Sequence, residues 1–278
     1  MEDKNPLVSV IVPTYNSEST IDICLQSIKN QTYPNIEIIV VDNNSSDNTK
    51  KIADMYASKI FSVNMSRSPA RNYGAKDSKG DYLFFVDSDM ELTPRVVEEC
   101  VDKIQEKGIG GVIVPEISVG EGFWSKCKAL ERSCYIGDRV LEAARFIDKD
   151  VFWAIGGYDE DLVAGEDRDL HYRVANKYKI ERINNVIMHH EGKLTVVKIM
   201  KRCYLYGATI DRYFKKHKKL AKKQFTPFRP AYFRNWKTLV RDPMHTVGFM
   251  FMKVCEFGAA GVGWFWSLAS LKLQFLKR

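Results

Sequence analysis

The sequence lacks the signatures of several common protein classes. Its six cysteines form no Cys-x-x-Cys pair and no zinc spacing, so we expect reduced thiols in a cytosolic compartment. The patterns Gly-x-Gly-x-x-Gly and Gly-x-x-x-x-Gly-Lys are both absent, which argues against the dinucleotide and P-loop modes of phosphate binding. No uncharged stretch reaches the roughly 20 residues that a transmembrane helix needs. The charged N-terminus predicts that there is no signal peptide.

What the chain does have is a large apolar fraction and an uneven distribution of charge. Hydrophobic residues make up 45% of the 278 residues, which is typical of a folded protein. The net charge of +7 combines −8 over residues 1–197 with +15 from residue 198 onward, because 18 of the 42 Lys and Arg but only three of the 35 Asp and Glu lie in that last part. A basic tail predicts an anionic partner, either nucleic acid or a membrane surface.

Strand and helix patterns alternate along the first two thirds of the chain. Short apolar runs are typical of strands buried on both faces, and apolar residues at helical spacing follow most of them. This alternation predicts an α/β fold with a mostly parallel, Rossmann-like sheet flanked by helices. The strands are expected at residues 7–13, 37–42, 60–63, 82–86, 111–115, 145–147 and 183–188.

Acidic side chains stand where predicted strands end. Asp87 and Asp89 follow the strand at 82–86 and, being two residues apart, point the same way in extended geometry. The carboxyl ends of parallel strands form the rim where open α/β sheets bind ligands. Two carboxylates there repel each other unless a cation joins them, and Mg²⁺ or Mn²⁺ suits such oxygen ligands. The alternative is a polar turn with Asp89 capping the next helix. The same rim is expected to receive Asp42, Glu166, Asp167, His189 and His190.

Five ordered segments of the chain resemble the family 2 glycosyltransferases of the GT-A fold. The resemblance extends over about residues 6–192 and implies that fold for this part of the chain. Residues 8–16 match the family's opening strand, 40–49 its nucleotide-binding segment, 68–72 its Ala-Arg-Asn helix start, 87–89 its DXD motif, and 156–159 with 165–170 its acceptor-side motif.

The resemblance implies a nucleotide-sugar-binding role for several matching residues. Pro13 and Tyr15 would flank the nucleobase, and Asp42 would accept hydrogen bonds from the base or the ribose. Arg71 would face the phosphates. Asn43 stands where the family often has Asp, which leaves the nucleobase open.

A divalent metal, Mn²⁺ or Mg²⁺, is the cofactor that the resemblance implies. Asp89 would bind the metal on the diphosphate, and Asp87 would hold the ribose or the metal. His189 or His190 could complete the metal shell through an imidazole nitrogen. The alternative for two adjacent histidines at a strand end is one buried and one solvated ring.

The resemblance implies that Asp167 is the catalytic base and that Glu166 orients the acceptor. Both stand at a predicted helix N-terminus, where the dipole alone would also accommodate carboxylates. Asp167 would take a proton from the acceptor hydroxyl as that oxygen attacks the anomeric carbon and inverts it. The Gln-x-x-Arg-Trp signature of processive synthases is absent, so we expect one sugar per visit.

The C-terminal region predicts association with a membrane surface. Apolar and basic residues alternate at helical spacing over 194–205, lysines crowd 215–223, and the apolar stretch 244–273 is interrupted by Lys253 and Glu256. These features are typical of a basic amphipathic segment lying in the plane of a bilayer. The alternatives are one tilted span, if Lys253 and Glu256 pair, or helices that pack on the catalytic domain or form a homodimer. Nucleic acid is disfavoured because no recognisable reading module is present.

The sequence therefore predicts two regions. Residues 1–192 would form the catalytic domain, with a nucleotide-sugar half at 1–90 and an acceptor half at 91–192, and residues 193–278 would associate with the membrane. The implied enzyme moves one sugar from a UDP- or GDP-sugar to a lipid-linked acceptor, such as a polyprenyl phosphate, at the cytoplasmic face of the cell membrane. The alternatives are a soluble saccharide or protein acceptor with a dimerising tail, and a catalytically silent nucleotide-sugar-binding or membrane scaffold protein.

Overall fold

The computed structural model describes residues 5–138, 140–227 and 229–276, without the side chains of 270–276. Strands and helices alternate over most of the first 190 residues, and helices follow. The strands are β1 Val8–Thr14, β2 Ile36–Asp42, β3 Lys59–Ser62, β4 Tyr82–Phe85, β5 Met90–Leu92, β6 Ile109–Ile113, β7 Glu116–Val119, β8 Ala144–Asp148, β9 Lys179–Arg182 and β10 Ile187–His190. The helices are α1 Ile21–Lys29, α2 Thr49–Ala53, α3 Arg67–Asp77, α4 Val96–Ile104, α5 Phe123–Ser133, α6 Lys149–Ala154, α7 Glu166–Ala175, α8 Val196–Thr209, α9 Asp211–Lys216, α10 Lys218–Gln224, α11 Pro230–Arg234, α12 Trp236–Arg241 and α13 Pro243–Leu276.

Seven strands form the main sheet in the order β3-β2-β1-β4-β8-β6-β9. The β1/β2, β2/β3, β1/β4 and β6/β9 pairs are parallel, whereas β8 runs antiparallel to both of its neighbours. A smaller sheet has the order β5-β10-β7. The predicted α/β class with a mostly parallel sheet is confirmed, and β8 is its antiparallel exception.

Apolar side chains cover both faces of the main sheet. Ile21, Cys24, Leu25 and Ile28 of α1 are buried with alternate residues of β1 and β2 in one cluster. The intervening strand residues join α3, α6 and α7 in a second cluster on the other face. Helices on both faces explain why β1, β2 and β4 are continuous apolar runs, since each face must be buried.

The chain divides into two compact units. The first comprises the described residues up to Ile117, with Glu142–Glu160 and Glu166–His190. The second comprises Ser118–Leu141, Asp161–Gly165 and the described residues from Glu191 onward. The boundary predicted at residue 192 stays a prediction, and the second unit also includes α5, which precedes that boundary.

Helices dominate the second unit, and α13 packs against α8 and α5. Lys253 of α13 pairs with Glu256 of the same helix and with Glu131 of α5, at 2.7 Å from the Glu131 carboxylate. Lys128 completes the network by pairing with both glutamates, at 2.8 Å and 3.1 Å. Lys253 and Glu256, the two charges that interrupt the apolar stretch of α13, thus form their ion pairs with residues of the second unit. Among the residues that the structure describes, no helix has the length and apolarity needed to cross a bilayer.

One predicted strand is wrong. Residues 183–188 were expected to form a single strand, but β9 ends at Arg182 and β10 begins at Ile187. The backbone N–H groups of Asn184 and Asn185 donate to the Glu99 carboxylate at 3.1 Å and 3.0 Å. This side chain therefore satisfies the backbone where the sheet ladder stops.

Candidate active site

The loops after β1 and β2 meet at the rim of the sheet. β1 and β2 pair in parallel up to Thr14 and Asp42, which brings the segments following them side by side. Asn16 and Asn44 have positive φ angles of 47° and 53°, in the left-handed region that asparagine tolerates better than most side chains. The Asn16 Oδ1 atom accepts from the Ser46 N–H at 2.9 Å. Side-chain hydrogen bonds thus hold the two loops together.

Two of the predicted nucleotide-binding residues hold the loops and two remain accessible. Asp42 is fully buried, and its two oxygens accept from the Ser45 N–H at 2.9 Å and the Ser45 hydroxyl at 2.5 Å. Asn43 accepts from the Met65 N–H at 3.1 Å. Tyr15 is 60% exposed, and Pro13 is partly exposed at the end of β1. Their contacts with a nucleotide stay predictions.

The Arg71 guanidinium joins the carboxylates that follow β4 and open α7. Arg71, on α3, is fully buried. Its Nη2 donates to Asp87 Oδ1 and its Nη1 to Asp167 Oδ1, both at 2.7 Å. Burial disfavours the charged guanidinium, but the acids outweigh it and hold the pKa of Arg71 well above its usual value. The described partners of this arginine are acidic side chains, whereas the sequence predicts that it faces phosphates.

Asp87 lies between two guanidinium groups. Its second oxygen, Oδ2, accepts from Arg145 Nη1 at 3.4 Å, and Arg145 lies on the antiparallel strand β8 next to β4. Burial favours the neutral carboxyl, but Arg71 and then Arg145 outweigh it and hold the pKa of Asp87 well below its usual range. Asp87 is therefore ionised near neutral pH.

Asp167 and Glu166 differ in environment although they are adjacent in α7. The Asp167 side chain is 23% exposed, and its Oδ1 also accepts from the Tyr158 hydroxyl at 3.1 Å. Glu166 is buried, with Arg67 and Arg71 nitrogens 3.5 Å and 3.6 Å from its Oε1. Burial and the neighbouring Asp167 charge raise the pKa of Glu166. Asp167 is the more accessible of the two carboxylates.

Asp89 lies next to His189, and His190 lies elsewhere. The Asp89 Oδ2 and His189 Nε2 atoms are 3.2 Å apart, whereas His190 Nε2 lies 2.8 Å from the Glu91 carboxylate. Successive residues of a strand point to opposite faces, which separates the two histidines of β10. Of the two rings proposed as metal ligands, His189 is the one beside Asp89.

Glu116, at the start of β7, connects His189 to Arg145. Its Oε2 lies 3.5 Å from His189 Nδ1, and its Oε1 accepts from Arg145 Nε at 2.7 Å. A carboxylate at Nδ1 favours the tautomer in which Nε2 carries a free lone pair. When Nδ1–H donates to Glu116, Nε2 would be available as a ligand for a metal bound by Asp89.

The Asp89–His189 pair fits one edge of a divalent metal shell. Two neighbouring ligands of an octahedral ion with bonds of about 2.1 Å are about 3 Å apart, close to the 3.2 Å between these atoms. The Asp89 side chain is 41% exposed and accessible from solvent. The described residues contain no group of three or more His, Cys, Asp or Glu side chains that could hold a metal ion. Mg²⁺ is commonly bound through one or two carboxylates together with substrate phosphates.

Comparison with known proteins identifies the family. Residues 9–155 match the model named glycosyl transferase family 2, which is more than half of the chain. The chain belongs to this family. The uncharacterized glycosyltransferase EpsJ of Bacillus subtilis is 33% identical over 150 residues, which cover 52% of this chain and 41% of EpsJ. The chain thus matches less than half the length of that relative.

Solved structures share the GT-A fold of this family member. The mannosyltransferase PcManGT from Pyrobaculum calidifontis, in complex with GDP-Man and Mn²⁺, has a TM-score of 0.62 at 18% identity and covers 94% of this chain and 87% of its own. Staphylococcus aureus TarS 1–349 in complex with UDP-GlcNAc has a TM-score of 0.56 at 19% identity and covers 90% and 81%. At these identities the likeness shows the fold, and the predicted GT-A architecture is confirmed.

Sequence reasoning assigned no role to Arg145, Glu116 or Tyr158. Tyr158 stands inside the matched segment 156–159, so its position next to a functional loop was available as a signal. Glu116 follows a predicted strand and Pro115, which was a weaker signal for the rim. The sequence contains no signal for Arg145, because its contact with Asp87 depends on the antiparallel pairing of β8 with β4.

Proposed function

We propose that this protein is a metal-dependent, inverting glycosyltransferase that moves a single sugar from a nucleotide diphosphate sugar to a lipid-linked acceptor. The observation that carries the proposal is the Arg71 bridge. One buried guanidinium binds both Asp87, from the DXD segment, and Asp167, from the acceptor-side segment, each at 2.7 Å. The carboxylates predicted for the donor side and the acceptor side therefore converge at one place.

Each residue of the site has a chemical role in this proposal. A divalent ion held by Asp89 and His189 would offset the charge that develops on the departing diphosphate. Asp167 accepts the proton of the acceptor hydroxyl. The acceptor oxygen bonds to the anomeric carbon from the face opposite the leaving group. The bond from that carbon to the diphosphate breaks, and the nucleoside diphosphate leaves with its electron pair.

The exposed apolar surface of α13, in the second unit, supports the proposal of a membrane-bound acceptor. On α13, Met244, Val247, Phe251, Val254 and Phe265 are each more than half exposed, and their spacing places them along one face of the helix. Such an exposed apolar face is unusual for a soluble monomer.

Basic side chains accompany this apolar surface. Lys198 and Lys201 of α8 are exposed beside the exposed Val197 and Leu205. Each base near an anionic lipid surface contributes about 1 kcal/mol to membrane attraction. We therefore propose that α8 and α13 bind an anionic bilayer in its plane, at the cytoplasmic face of the cell membrane. Homodimerisation through this apolar face is the competing outcome.

A thermal-shift panel tests the donor side of the proposal. UDP-, GDP- and dTDP-sugars are compared with and without Mn²⁺, for the wild type and for Asp89→Ala. We expect one nucleotide class to raise the Tm of the wild type only with Mn²⁺, because ligands that bind the folded state stabilise it. Asp89→Ala should lose that increase. An equal increase in both proteins would contradict the metal role of Asp89, and no increase with any nucleotide sugar would favour a scaffold protein.

A further inference from the structure

The Tyr158 side chain is fixed in the core of the first unit. It is 2% exposed. Its ring packs edge-on against Phe85, with centroids 5.0 Å apart, and lies 6.0 Å from the ring of Phe152. The Arg71 guanidinium carbon lies 5.0 Å from the Tyr158 ring centroid. The ring has little freedom to move, so the direction of its hydroxyl is also fixed.

That hydroxyl donates to the predicted catalytic base. It reaches Asp167 Oδ1 at 3.1 Å, and Arg71 Nη1 donates to the same oxygen at 2.7 Å. The other oxygen is different: no residue in the described part of the chain donates a hydrogen bond to Oδ2, and Arg145 Nη2 is 4.0 Å away. The two oxygens of one carboxylate are therefore not equivalent.

Two donors on Oδ1 define the orientation of the carboxylate. A hydrogen bond to an ionised group is directional and stronger than one between neutral groups. A base must hold one oxygen within reach of the proton that it abstracts. Because Oδ1 is occupied, Oδ2 is the oxygen with lone pairs available to the acceptor.

We propose that Tyr158 and Arg71 are positioning residues that hold Asp167 Oδ1, so that Oδ2 takes the proton of the acceptor hydroxyl. This proposal rests on the proposed role of Asp167 as the base. The proton moves from the acceptor oxygen to Oδ2 as that oxygen bonds to the anomeric carbon and the diphosphate departs with the electron pair. Neither Tyr158 nor Arg71 changes its own protonation.

Tyr158→Phe is the variant that tests this role. It removes the hydroxyl and keeps the ring that packs on Phe85. Tyr33→Phe is the matched control, because Tyr33 is also buried in the first unit and its hydroxyl donates to the Pro6 carbonyl at 2.6 Å. A buried tyrosine hydroxyl usually has a hydrogen-bond partner, so removing it lowers stability whatever its role in catalysis. Tyr33→Phe measures that loss of stability.

The kinetic outcome separates positioning from stability. We expect Tyr158→Phe to lower kcat about tenfold while the donor KM stays within about twofold, since the lost bond acts on the base and not on donor binding. Its Tm should fall no further than that of Tyr33→Phe. A kcat equal to that of the control would overturn the proposal, as would a loss confined to donor KM.

A structural readout does not depend on activity. In crystal structures, the wild type should show one Asp167 orientation with Oδ1 on Tyr158, and Tyr158→Phe should show a rotated or doubled carboxylate. An unchanged carboxylate would overturn the positioning role whatever the kinetics. If the wild type transfers sugar from no donor, the proposed function fails, while this readout still decides whether Tyr158 positions Asp167.

Discussion

At the scale of single residues, the charge balance of the site depends on buried guanidinium groups. Arg71 contacts Asp87, Glu166 and Asp167, and Arg145 is the second cation within 4.0 Å of Asp87 and Asp167. Removing one partner of a buried ion pair typically costs about 3–5 kcal/mol, because the other charge remains without compensation. Substitution of Arg71 would therefore disturb folding before it informed on chemistry. Variants that keep both guanidinium groups are the sharper probes.

Glu116→Gln should weaken Mn²⁺ binding in the presence of the nucleoside diphosphate. The loss should be about ten- to hundredfold, because such outer carboxylates orient the ligating imidazole. Glu91→Gln is the control, since Glu91 contacts His190 at 2.8 Å and not His189. Calorimetric titration with Mn²⁺ measures both variants. Equal affinities would show that Glu116 does not support the metal ligand.

His171 should make stability depend on pH. Burial lowers the pKa of His171 to about 4, and the Ala144 N–H donates to its Nδ1 at 3.1 Å. The folded state therefore favours the neutral ring. The stabilisation is complete above the unfolded pKa of about 6.5 and is lost as pH falls through the folded pKa of about 4, by roughly 3 kcal/mol in all.

Urea unfolding at pH 7 and pH 4.5 checks this contribution. We expect His171→Gln to lose less stability between these two pH values than the wild type does, because its amide does not titrate. The same loss in both proteins would assign the pH dependence to other groups.

Some site residues were predictable from the sequence and others were not. Asp89 and Asp167 stand in short motifs whose order along the chain is specific, so both could be named before the structure. The partners of Arg71 could not, because they depend on the packing of α3 against the strand ends. The choice between His189 and His190 also required the structure, since β-strand side chains alternate and the register was unknown.

At the scale of elements, the contact between α8 and α13 depends on glycine. A Cβ atom added at Gly207 of α8 would overlap the Ala260 carbonyl of α13, and one at Gly263 of α13 would overlap the Tyr204 carbonyl of α8. The two backbones therefore approach more closely than any other residue would allow. Small residues permit similar close contacts between helices in membrane proteins.

Gly207→Ala should destabilise the protein by at least about 1–3 kcal/mol, since overpacking forces the helices apart. Gly258→Ala is the control on α13, because an added Cβ there meets no atom within 4 Å. That control should be stabilised by about 0.5–1 kcal/mol, the helix-propensity difference between the two residues. Thermal unfolding compares them. Equal melting temperatures would contradict the close contact.

Local sequence patterns predicted some of the secondary-structure elements correctly and one of them wrongly. The early strands could be assigned correctly, because each is a short apolar run followed by apolar residues at helical spacing. The strand expected at 183–188 was wrong, because the backbone N–H groups of Asn184 and Asn185 donate to the carboxylate of Glu99 on α4. No local pattern contains that partner.

At the scale of the whole molecule, the fold class followed from the order of the elements, whereas the division into units did not. The segment 118–141 belongs to the second unit although it lies inside residues 1–192, which the sequence predicts as the catalytic domain. The order of elements along the chain does not predict that residues 118–141 belong to the second unit, because long-range packing decides which unit a segment joins.

Membrane association is tested by flotation with vesicles that contain phosphatidylserine. Val254→Glu places a charge on the exposed face of α13, where Val254 is 72% exposed. It should reduce the bound fraction about tenfold, because one apolar contact is replaced by a charge. Met55→Glu is the control, as Met55 is 66% exposed in the turn that follows α2. Unbound wild type would exclude the membrane surface, and a dimer in solution would then favour homodimerisation.

Sugar transfer by Asp167→Asn is the most direct measure of the proposed mechanism. The assay follows label from the stabilising nucleotide sugar, with Mn²⁺, into a membrane lipid extract. The account predicts that Asp167→Asn keeps the Mn²⁺-dependent Tm increase with the donor but transfers sugar about 10²–10⁴ times more slowly, since it lacks the base. Transfer at the wild-type rate by Asp167→Asn would contradict the account.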